Sequence, residues 1–207
     1  MKNMILIGAS GHGRTVAEIA EDCGYGNISF LDLAYPNKKT VGKWPVSGIP
    51  SKENLVEADA GDIFVAIGNN RAREKTVIEL GLGECPAMFH ASSIVSRYAK
   101  INGGTLVAAG AIINTGAQIG SFVIVNTGAS VDHDCVVADF VHISPGARLA
   151  GGVSIGARTW IGIGAVVREN IKIGKDVVIG AGAAVVKDIV DGSVVGGVPA
   201  RPFGGKS

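Results

Sequence analysis

The chain has 207 residues, 47% of them hydrophobic, which is enough for one sizeable domain or two small ones with buried cores. Nineteen basic and eighteen acidic residues leave a net charge of +1, which argues against a nucleic-acid partner or an anionic membrane surface. The N-terminal apolar run is too short for a secretory signal, and no apolar stretch approaches a span of about 20 residues. We therefore expect a cytoplasmic protein without membrane insertion, whose partner is a small molecule or another copy of itself.

The first part of the chain has the pattern of a Rossmann-like unit. The predicted elements are a strand at 4–7, a glycine loop at 8–13, a helix at 14–23, strands at 28–31 and 63–67, and a helix at 71–80. Such a loop lets backbone N–H groups approach a phosphate, and Asp32 lies where a ribose hydroxyl is often held. The glycines also suit tight turns, so the loop alone leaves both interpretations open. About 88 residues have room for one mononucleotide half and not for a dinucleotide fold.

The segment 41–50 between the second and third predicted strands reads as a loop. It either folds over a ligand or is a plain surface connection, and the sequence does not decide between the two.

The second part of the chain repeats every six residues. From Val95 to Val185, each sixth residue is Val, Ile or Leu, sixteen times in succession. A second set, four residues further on in each repeat, is small or β-branched. A period of six fits neither a helix nor an alternating strand, and a β-sandwich would show period two with irregular turns. It fits a left-handed parallel β-helix with three sides of six residues and roughly five coils.

Many glycines occupy the second or fourth place of the repeat, which suits corners with positive φ. They include Gly110, Gly116, Gly120, Gly128, Gly146, Gly156 and Gly162.

His133 is the strongest candidate for chemistry, because it and Asp134 fall at outward positions near a corner. Two flanking carboxylates favour the imidazolium form and raise the basicity of His133. Gly151 comes eighteen residues later, at the equivalent place one coil along, about 4.8 Å away. Its N–H would meet an oxyanion beside the base. A general base and a donor to the oxyanion are the two elements that acyl transfer requires. His142 is also predicted to face outward.

The sequence also allows other interpretations of these histidines. His133 or His142 would also fit a surface ion pair, and histidines of a β-helix can hold zinc between subunits. Cys23, Cys85 and Cys135 are odd in number and lack CxxC spacing, so we interpret them as buried thiols and expect no metal.

Over nearly its whole length the chain resembles the bacterial hexapeptide acyltransferases that modify nucleotide-activated amino sugars or sialic acid. The residues that carry the resemblance are Gly8-Ala9-Ser10-Gly11-His12-Gly13, Phe30-Leu31-Asp32, Ala66-Ile67-Gly68-Asn69-Asn70, Asn126-Thr127, His133-Asp134-Cys135, His142, Ala150-Gly151 and Gly197-Val198-Pro199-Ala200-Arg201. The resemblance implies a Rossmann-like domain at 1–88 that binds a nucleotide-sugar and a β-helix acyltransferase domain at 89–207.

The resemblance also implies a homotrimer with active sites between subunits and acetyl-CoA as co-substrate. His133 would be the general base and Asp134 its partner. The residues implied to line the acetyl-CoA groove are His142, Gly151, Ile163 and Ala181, and those implied to meet the nucleotide of the sugar are Ser10, Gly11, His12, Asp32, Leu33, Gly68 and Asn69. Two positions depart from the family pattern: Asp134 stands where many members have Glu, and an acidic pair is reduced to Asp32-Leu33.

These observations lead to the hypothesis of an acetyl-CoA-dependent N-acetyltransferase acting on a nucleotide-linked 4-amino-4,6-dideoxy sugar. The first alternative is an O-acetyltransferase for sialic acid or another sugar. The second is a non-catalytic trimer that binds nucleotide-sugars.

Overall fold

The computed structural model describes residues 2–57 and 61–203, which form an α/β region followed by a parallel β-helix. The elements of the α/β region are β1 (Lys2–Ile7), α1 (Gly11–Asp22), β2 (Tyr25–Leu31), β3 (Thr40–Val41), β4 (Trp44–Gly48), α2 (Lys52–Glu57), β5 (Asp62–Val65) and α3 (Asn70–Leu80). The sheet order is β3-β4-β2-β1-β5, and β1 pairs in parallel with both β2 and β5. No helix among residues 2–57 and 61–203 is long and apolar enough to cross a membrane.

The segment 41–50 forms strand structure, so its prediction as a loop was wrong. β3 and β4 pair antiparallel, and β4 then joins the sheet in parallel beside β2. Trp44 and Val46 are buried on one side of β4, while Pro45 between them is exposed. This alternation of buried and exposed residues is the period of a half-buried strand, and the intervening proline and flanking glycines obscured it. Helix α2 was also not predicted.

The β-helix is a prism of three sheets, which we call faces one, two and three, and their strands pair in parallel except at the C-terminal end. Face one contains β7 (Ile94–Val95), β10 (Ile112–Ile113), β13 (Ser130–Val131), β16 (Arg148–Leu149), β19 (Val166–Val167) and β22 (Ala184–Val185). Face two contains β8 (Lys100–Ile101), β11 (Gln118–Ile119), β14 (Val136–Val137), β17 (Ser154–Ile155) and β20 (Lys172–Ile173). Face three contains β6 (Met88–Phe89), β9 (Leu106–Val107), β12 (Ile124–Val125), β15 (His142–Ile143), β18 (Trp160–Ile161), β21 (Val178–Ile179), β23 (Val194–Gly196) and β24 (Arg201–Pro202).

The core of the prism confirms the six-residue pattern. All sixteen aliphatic residues of the main set pack in one cluster, fully buried except for Val95 and Ile101 at the N-terminal end. The small residues of the second set fill the same interior. The set includes two threonines, Thr159 and Thr105. Thr159 donates to Gly174 O at 2.7 Å and accepts from Val177 N at 3.1 Å. Thr105 likewise donates to Gly120 O at 2.8 Å and accepts from Val123 N at 3.1 Å. Both hydroxyls are therefore satisfied inside the core.

The corners recur every six residues and turn through positive φ. Gly110, Gly116, Gly128 and Gly146 have positive φ, as predicted. Gly120, Gly156 and Gly162 do not, so their assignment was wrong. A Cβ on any of these three would fall within 3.0 Å of the backbone of the next coil, so close approach requires glycine there.

The corner between faces two and three carries non-glycine residues with positive φ and supports the α/β region. These residues are Phe122, Phe140, Arg158 and Asp176. Arg73 of α3 reaches into this corner and is only 1% exposed. Its guanidinium donates to Phe122 O and Phe140 O of the β-helix, each at 2.9 Å, and to Ile67 O at 2.8 Å. One buried side chain thus joins the two parts of the chain.

Candidate active site

His133 and Asp134 form an exposed pair at the corner between β13 and β14. His133 Nδ1 lies 2.9 Å from Asp134 Oδ2, and the side chains are 57% and 72% exposed. Asp134 takes a φ of 57°, a conformation that Asp adopts more readily than most residues. Asp132 accepts the backbone N–H of His133 at 2.8 Å, and Asn114 one coil away donates to the same carboxylate oxygen at 2.9 Å. Asp134 therefore holds the imidazole of His133, while Asp132 fixes its backbone.

The electrostatics of the pair agree with the expected basicity. The hydrogen bond to the Asp134 carboxylate raises the pKa of His133, and the charges of Asp132 and Asp134 add to it. Because Asp134 accepts from Nδ1–H, this contact favours the tautomer whose Nε2 carries the lone pair. The chemistry available at this corner is proton abstraction by Nε2.

Gly151 lies against the Nε2 side of the His133 ring. A Cβ on Gly151 would fall within 3.0 Å of His133 Nε2 and Cε1, so only glycine fits beside the imidazole. The neighbouring coil is fixed by the hydrogen bond from Gly152 N to His133 O at 2.9 Å. Among the described residues the Gly151 N–H has no hydrogen-bond partner. A free donor next to the base is the arrangement that an oxyanion requires.

His142 faces out of the prism as predicted, yet it is only 5% exposed. The side chain leaves the prism, but the α/β region covers it. Nδ1 lies 3.2 Å from Gly68 O, Nε2 lies 3.0 Å from Asn126 Nδ2, and the ring packs on Trp160 with 4.3 Å between centroids. Burial lowers the pKa of His142 to about 4, and the charge of Arg73 acts in the same direction.

A groove of about 470 Å³ runs along face three and is called the face-three groove below. It is lined by Asn126, His142, Ser144, Pro145, Trp160, Gly162, Ile163, Val178, Ile179, Gly180 and Ala181. Three of the four residues expected at acetyl-CoA lie here, namely His142, Ile163 and Ala181. The fourth, Gly151, is at the His133 corner instead. Because His133 occupies the corner between faces one and two, it lies across the prism from face three, and one chain does not bring the two together.

A cavity of about 570 Å³, called the glycine-loop cavity below, opens at the carboxyl ends of β1, β2 and β5. This edge is where ligands bind in open parallel α/β sheets. Of the seven residues expected at the nucleotide, Ser10, Asp32, Leu33 and Gly68 line the cavity. The others, Gly11, His12 and Asn69, do not.

Hydrogen bonds explain where several of these residues lie. Ser10 and Asn69 cap the N-termini of α1 and α3, since their side chains accept from Gly13 N and Ala72 N. Asp32 accepts from Ala9 N at 2.7 Å and Ala34 N at 2.9 Å, so its carboxylate fixes the glycine loop. These structural roles were not predicted.

His12 turns away from the cavity and towards the face-three side, where its ring centroid is 6.3 Å from that of His142. Its Nε2 is buried without a hydrogen-bond partner among the described residues. Burial, together with the charge of Arg73, lowers the pKa of His12 to about 4. His12 is therefore neutral and placed between the two parts of the chain.

Three residues at or near these sites were not predicted from the sequence: Arg73, Lys52 and Thr76. Lys52 and Thr76 line the glycine-loop cavity from α2 and α3. Arg73 is buried, and burial lowers its pKa to about 9. An arginine within an otherwise ordinary helix gives no sequence signal of burial, because the β-helix carbonyls that it meets, those of Phe122 and Phe140, are distant in the sequence.

The three cysteines are all free. Cys85 and Cys135 are buried as predicted, whereas Cys23 is only partly buried. In the part of the chain that the structure describes, no three His, Cys, Asp or Glu side chains cluster in a way that could hold a metal ion.

Both the sequence and the structure of the chain are similar to those of known proteins. Residues 3–80 match the family model described as PglD N-terminal domain, and residues 152–187 match that described as bacterial transferase hexapeptide (six repeats). A curated relative, UDP-N-acetylbacillosamine N-acetyltransferase of Bacillus subtilis (strain 168), is 36% identical over 114 residues. That alignment covers 53% of this chain and 52% of the relative, so the chain matches about half the length of this curated protein.

Solved structures match over nearly the whole chain. The acetyltransferase domain of PglB from Neisseria gonorrhoeae FA1090, in complex with acetyl coenzyme A, is 41% identical with a TM-score of 0.91, over 98% of this chain and 99% of that one. PerB from Caulobacter crescentus, in complex with CoA and GDP-perosamine, is 36% identical with a TM-score of 0.91, over 99% of this chain and 98% of that one.

An α/β region joined to a hexapeptide β-helix, with a histidine–aspartate pair at a corner, defines a hexapeptide-repeat acyltransferase. The chain belongs to the family of acetyl-CoA-dependent sugar acetyltransferases that includes PglB and PerB. The resemblance and the parallel β-helix predicted from the sequence are confirmed.

Proposed function

We propose that the chain transfers the acetyl group of acetyl-CoA to the amine of a nucleotide-linked 4-amino-4,6-dideoxy sugar. The observation that carries this proposal is the pair of His133 and Asp134 beside the free N–H of Gly151. The relatives add support, because one is named for UDP-N-acetylbacillosamine and another was solved with CoA and GDP-perosamine.

In the proposed reaction His133 Nε2 takes a proton from the sugar amine as the nitrogen attacks the thioester carbonyl carbon. The carbonyl oxygen becomes an oxyanion, which the Gly151 N–H stabilises. The intermediate then collapses as the C–S bond breaks. His133 gives its proton to the departing CoA thiolate. Asp134 keeps the imidazole oriented and stabilises its protonated form during the transfer. No covalent enzyme intermediate is needed.

We assign the face-three groove, with His142, Ile163 and Ala181, to acetyl-CoA, and Gly151 to the acetyl end of the same ligand. The glycine-loop cavity is assigned to the nucleotide, with Ser10, Asp32, Leu33 and Gly68 in its wall. Gly11, His12 and Asn69 would then act from the edges of this site. In particular, the free Nε2 of His12 faces away from the nucleotide and towards the sugar end of the site.

A homotrimer is part of the proposal, because one chain keeps His133 and the face-three groove on opposite sides of the prism. Packing the corner of one subunit against face three of its neighbour would bring the base to the thioester. Exposed apolar residues on the β-helix, among them Ile94, Val136 and Val166, would be covered by such contacts. Since both substrates are cytoplasmic metabolites, we also propose that the chain works in the cytoplasm.

The test is a panel of acceptors incubated with acetyl-CoA: UDP- and GDP-linked 4-amino sugars, and free and nucleotide-linked sialic acid. CoA release is followed with a thiol reagent, and the product is treated with hydroxylamine, which cleaves esters and spares amides. The proposal predicts a hydroxylamine-stable product with an amino sugar. An ester on a sialic acid would instead show the O-acetyltransferase alternative. Nucleotide-sugar binding without acetyl-CoA binding would show the non-catalytic trimer.

A further inference from the structure

Ser144 lines the face-three groove, and its hydroxyl is buried without a hydrogen-bond partner among the described residues. The side chain is 2% exposed. Its backbone is fully paired, since Ser144 N donates to Ile161 O at 2.9 Å and Ser144 O accepts from Ala147 N at 3.1 Å. Buried polar atoms are rarely left unpaired, so this hydroxyl calls for a partner from outside the chain.

The place of Ser144 in the prism shows where that partner would lie. Asn126, Ser144, Gly162 and Gly180 occupy the same position in successive coils, each following a face-three strand. Asn126 is already engaged with His142. Gly162 cannot carry a side chain, because a Cβ would fall within 3.0 Å of the backbone around Ile179. The floor of the groove beyond Ser144 is therefore formed by glycines, and Asn126 on its other side is already paired with His142.

The walls of the groove restrict the chemistry of the occupant. Ile163 and Val178 are exposed apolar side chains along the groove. Trp160 packs beside His142 at the end of the groove where Ser144 lies. A channel with apolar walls and a floor of glycines fits an unbranched chain, whose carbonyl oxygens need donors at fixed points. A serine hydroxyl is such a donor and can rotate to the acceptor.

We propose that the Ser144 hydroxyl donates a hydrogen bond to a carbonyl oxygen of the acetyl-pantetheine arm of acetyl-CoA. This inference rests on the proposed function, in which acetyl-CoA occupies the face-three groove. The arm then runs from Ser144 past Ile163 to Ala181. These residues follow one another coil by coil, with a rise of about 4.8 Å for each coil. Ser144 contacts the arm near its acetyl end, while the nucleotide end of CoA lies beyond Ala181.

The experiment compares the wild-type protein with Ser144→Ala and with the matched control Ser154→Ala, which lies in β17 on face two. Calorimetry gives the Kd for acetyl-CoA, and inhibition of turnover gives the Ki for adenosine 3′,5′-bisphosphate, which lacks the pantetheine arm. The Kd of Ser144→Ala should rise about five- to tenfold, the usual effect of one lost hydrogen bond. The Ki of the bisphosphate, the KM of the nucleotide-sugar and both constants of Ser154→Ala should stay unchanged.

The melting temperature of the ligand-free protein distinguishes a ligand contact from a structural one. Ser144→Ala removes an unpartnered hydroxyl, so its Tm should equal or exceed that of the wild type. A Tm several degrees lower would place the hydroxyl's partner inside the chain and overturn the inference. An unchanged Kd, or equal losses for acetyl-CoA and the bisphosphate, would also overturn it while leaving the proposed function intact. If the wild type itself failed to bind acetyl-CoA, the proposed function would fall together with the inference.

Discussion

Gly151 packs so closely on the imidazole of His133 that a Cβ there would fall within 3.0 Å of Nε2. Gly151→Ala should therefore displace the ring from the position in which Nε2 faces the acceptor amine. Misplacing a catalytic group by about 1 Å can lower turnover about 100-fold, so we expect a fall of about 10- to 100-fold in kcat. Steady-state kinetics with acetyl-CoA and the accepted amino sugar measure this effect.

Gly83→Ala is the matched control, since a Cβ at Gly83 meets no atom within 4 Å and its φ is not positive. Its kcat should match that of the wild type, and circular dichroism should show both variants folded. If Gly151→Ala were as active as the wild type, Gly151 would have no part in placing His133.

The pH dependence of turnover should report the coupling of His133 to Asp134. The base works only when neutral, so activity rises with pH through the pKa of His133, which the Asp134 hydrogen bond raises. Asp134→Asn removes that cause, so the acid limb of the profile should shift to lower pH while the maximal rate falls. An acid limb that stays at the same pH would show that another group controls the rate.

Filling the glycine-loop cavity with a large side chain should weaken the binding of the nucleotide-sugar without affecting that of acetyl-CoA. Thr76 lines the cavity from α3, whereas Ile78 on the same helix is 70% exposed and does not line it. Thr76→Trp should raise the KM of the nucleotide-sugar at least about tenfold, because the indole occupies the space of the nucleotide. The KM of acetyl-CoA should not change, and Ile78→Trp should change neither. Equal effects of the two tryptophans would argue against a nucleotide in this cavity.

Replacing Arg73 should lower the free energy of unfolding far more than replacing an exposed residue of the same helix. Arg73→Met leaves the buried carbonyls of Ile67, Phe122 and Phe140 without a donor. Each unpaired buried group costs about 1–3 kcal/mol, so the free energy of unfolding should fall by about 3 kcal/mol or more. Urea denaturation measures the change. Lys75→Met, which breaks only an exposed pair with Glu79, should cost less than about 1 kcal/mol.

The β-helix could be predicted from the sequence because its rule is local and repeated. Each interior position of the repeat takes side chains of one size at a fixed spacing. Residues such as Val107 and Ile143 can therefore be assigned to the core from the repeat alone, without knowledge of the rest of the fold. The His133 corner was predictable for the same reason, since Gly151 follows from counting one coil of eighteen residues. The N-terminal strands could be placed to within a few residues by their apolar runs.

The surroundings of His142 were not predictable, because they depend on how the α/β region packs against face three. The hexapeptide pattern shows that His142 leaves the prism, and only the three-dimensional contact with Gly68 shows that it is buried. The same holds for Arg73, whose β-helix partners Phe122 and Phe140 are distant in sequence. Hairpin β3–β4 was missed because Pro45 and the adjacent glycines are typical of loops.

The most direct test of the account is the turnover of His133→Ala, measured with acetyl-CoA and the accepted amino sugar. His133 is 57% exposed and its side chain contacts Asp134, so the substitution should leave the fold and the oligomer intact. If His133 is the general base, kcat should fall about 100-fold or more, with little change in either KM. Turnover close to that of the wild type would contradict the assignment of His133 and with it the proposed mechanism.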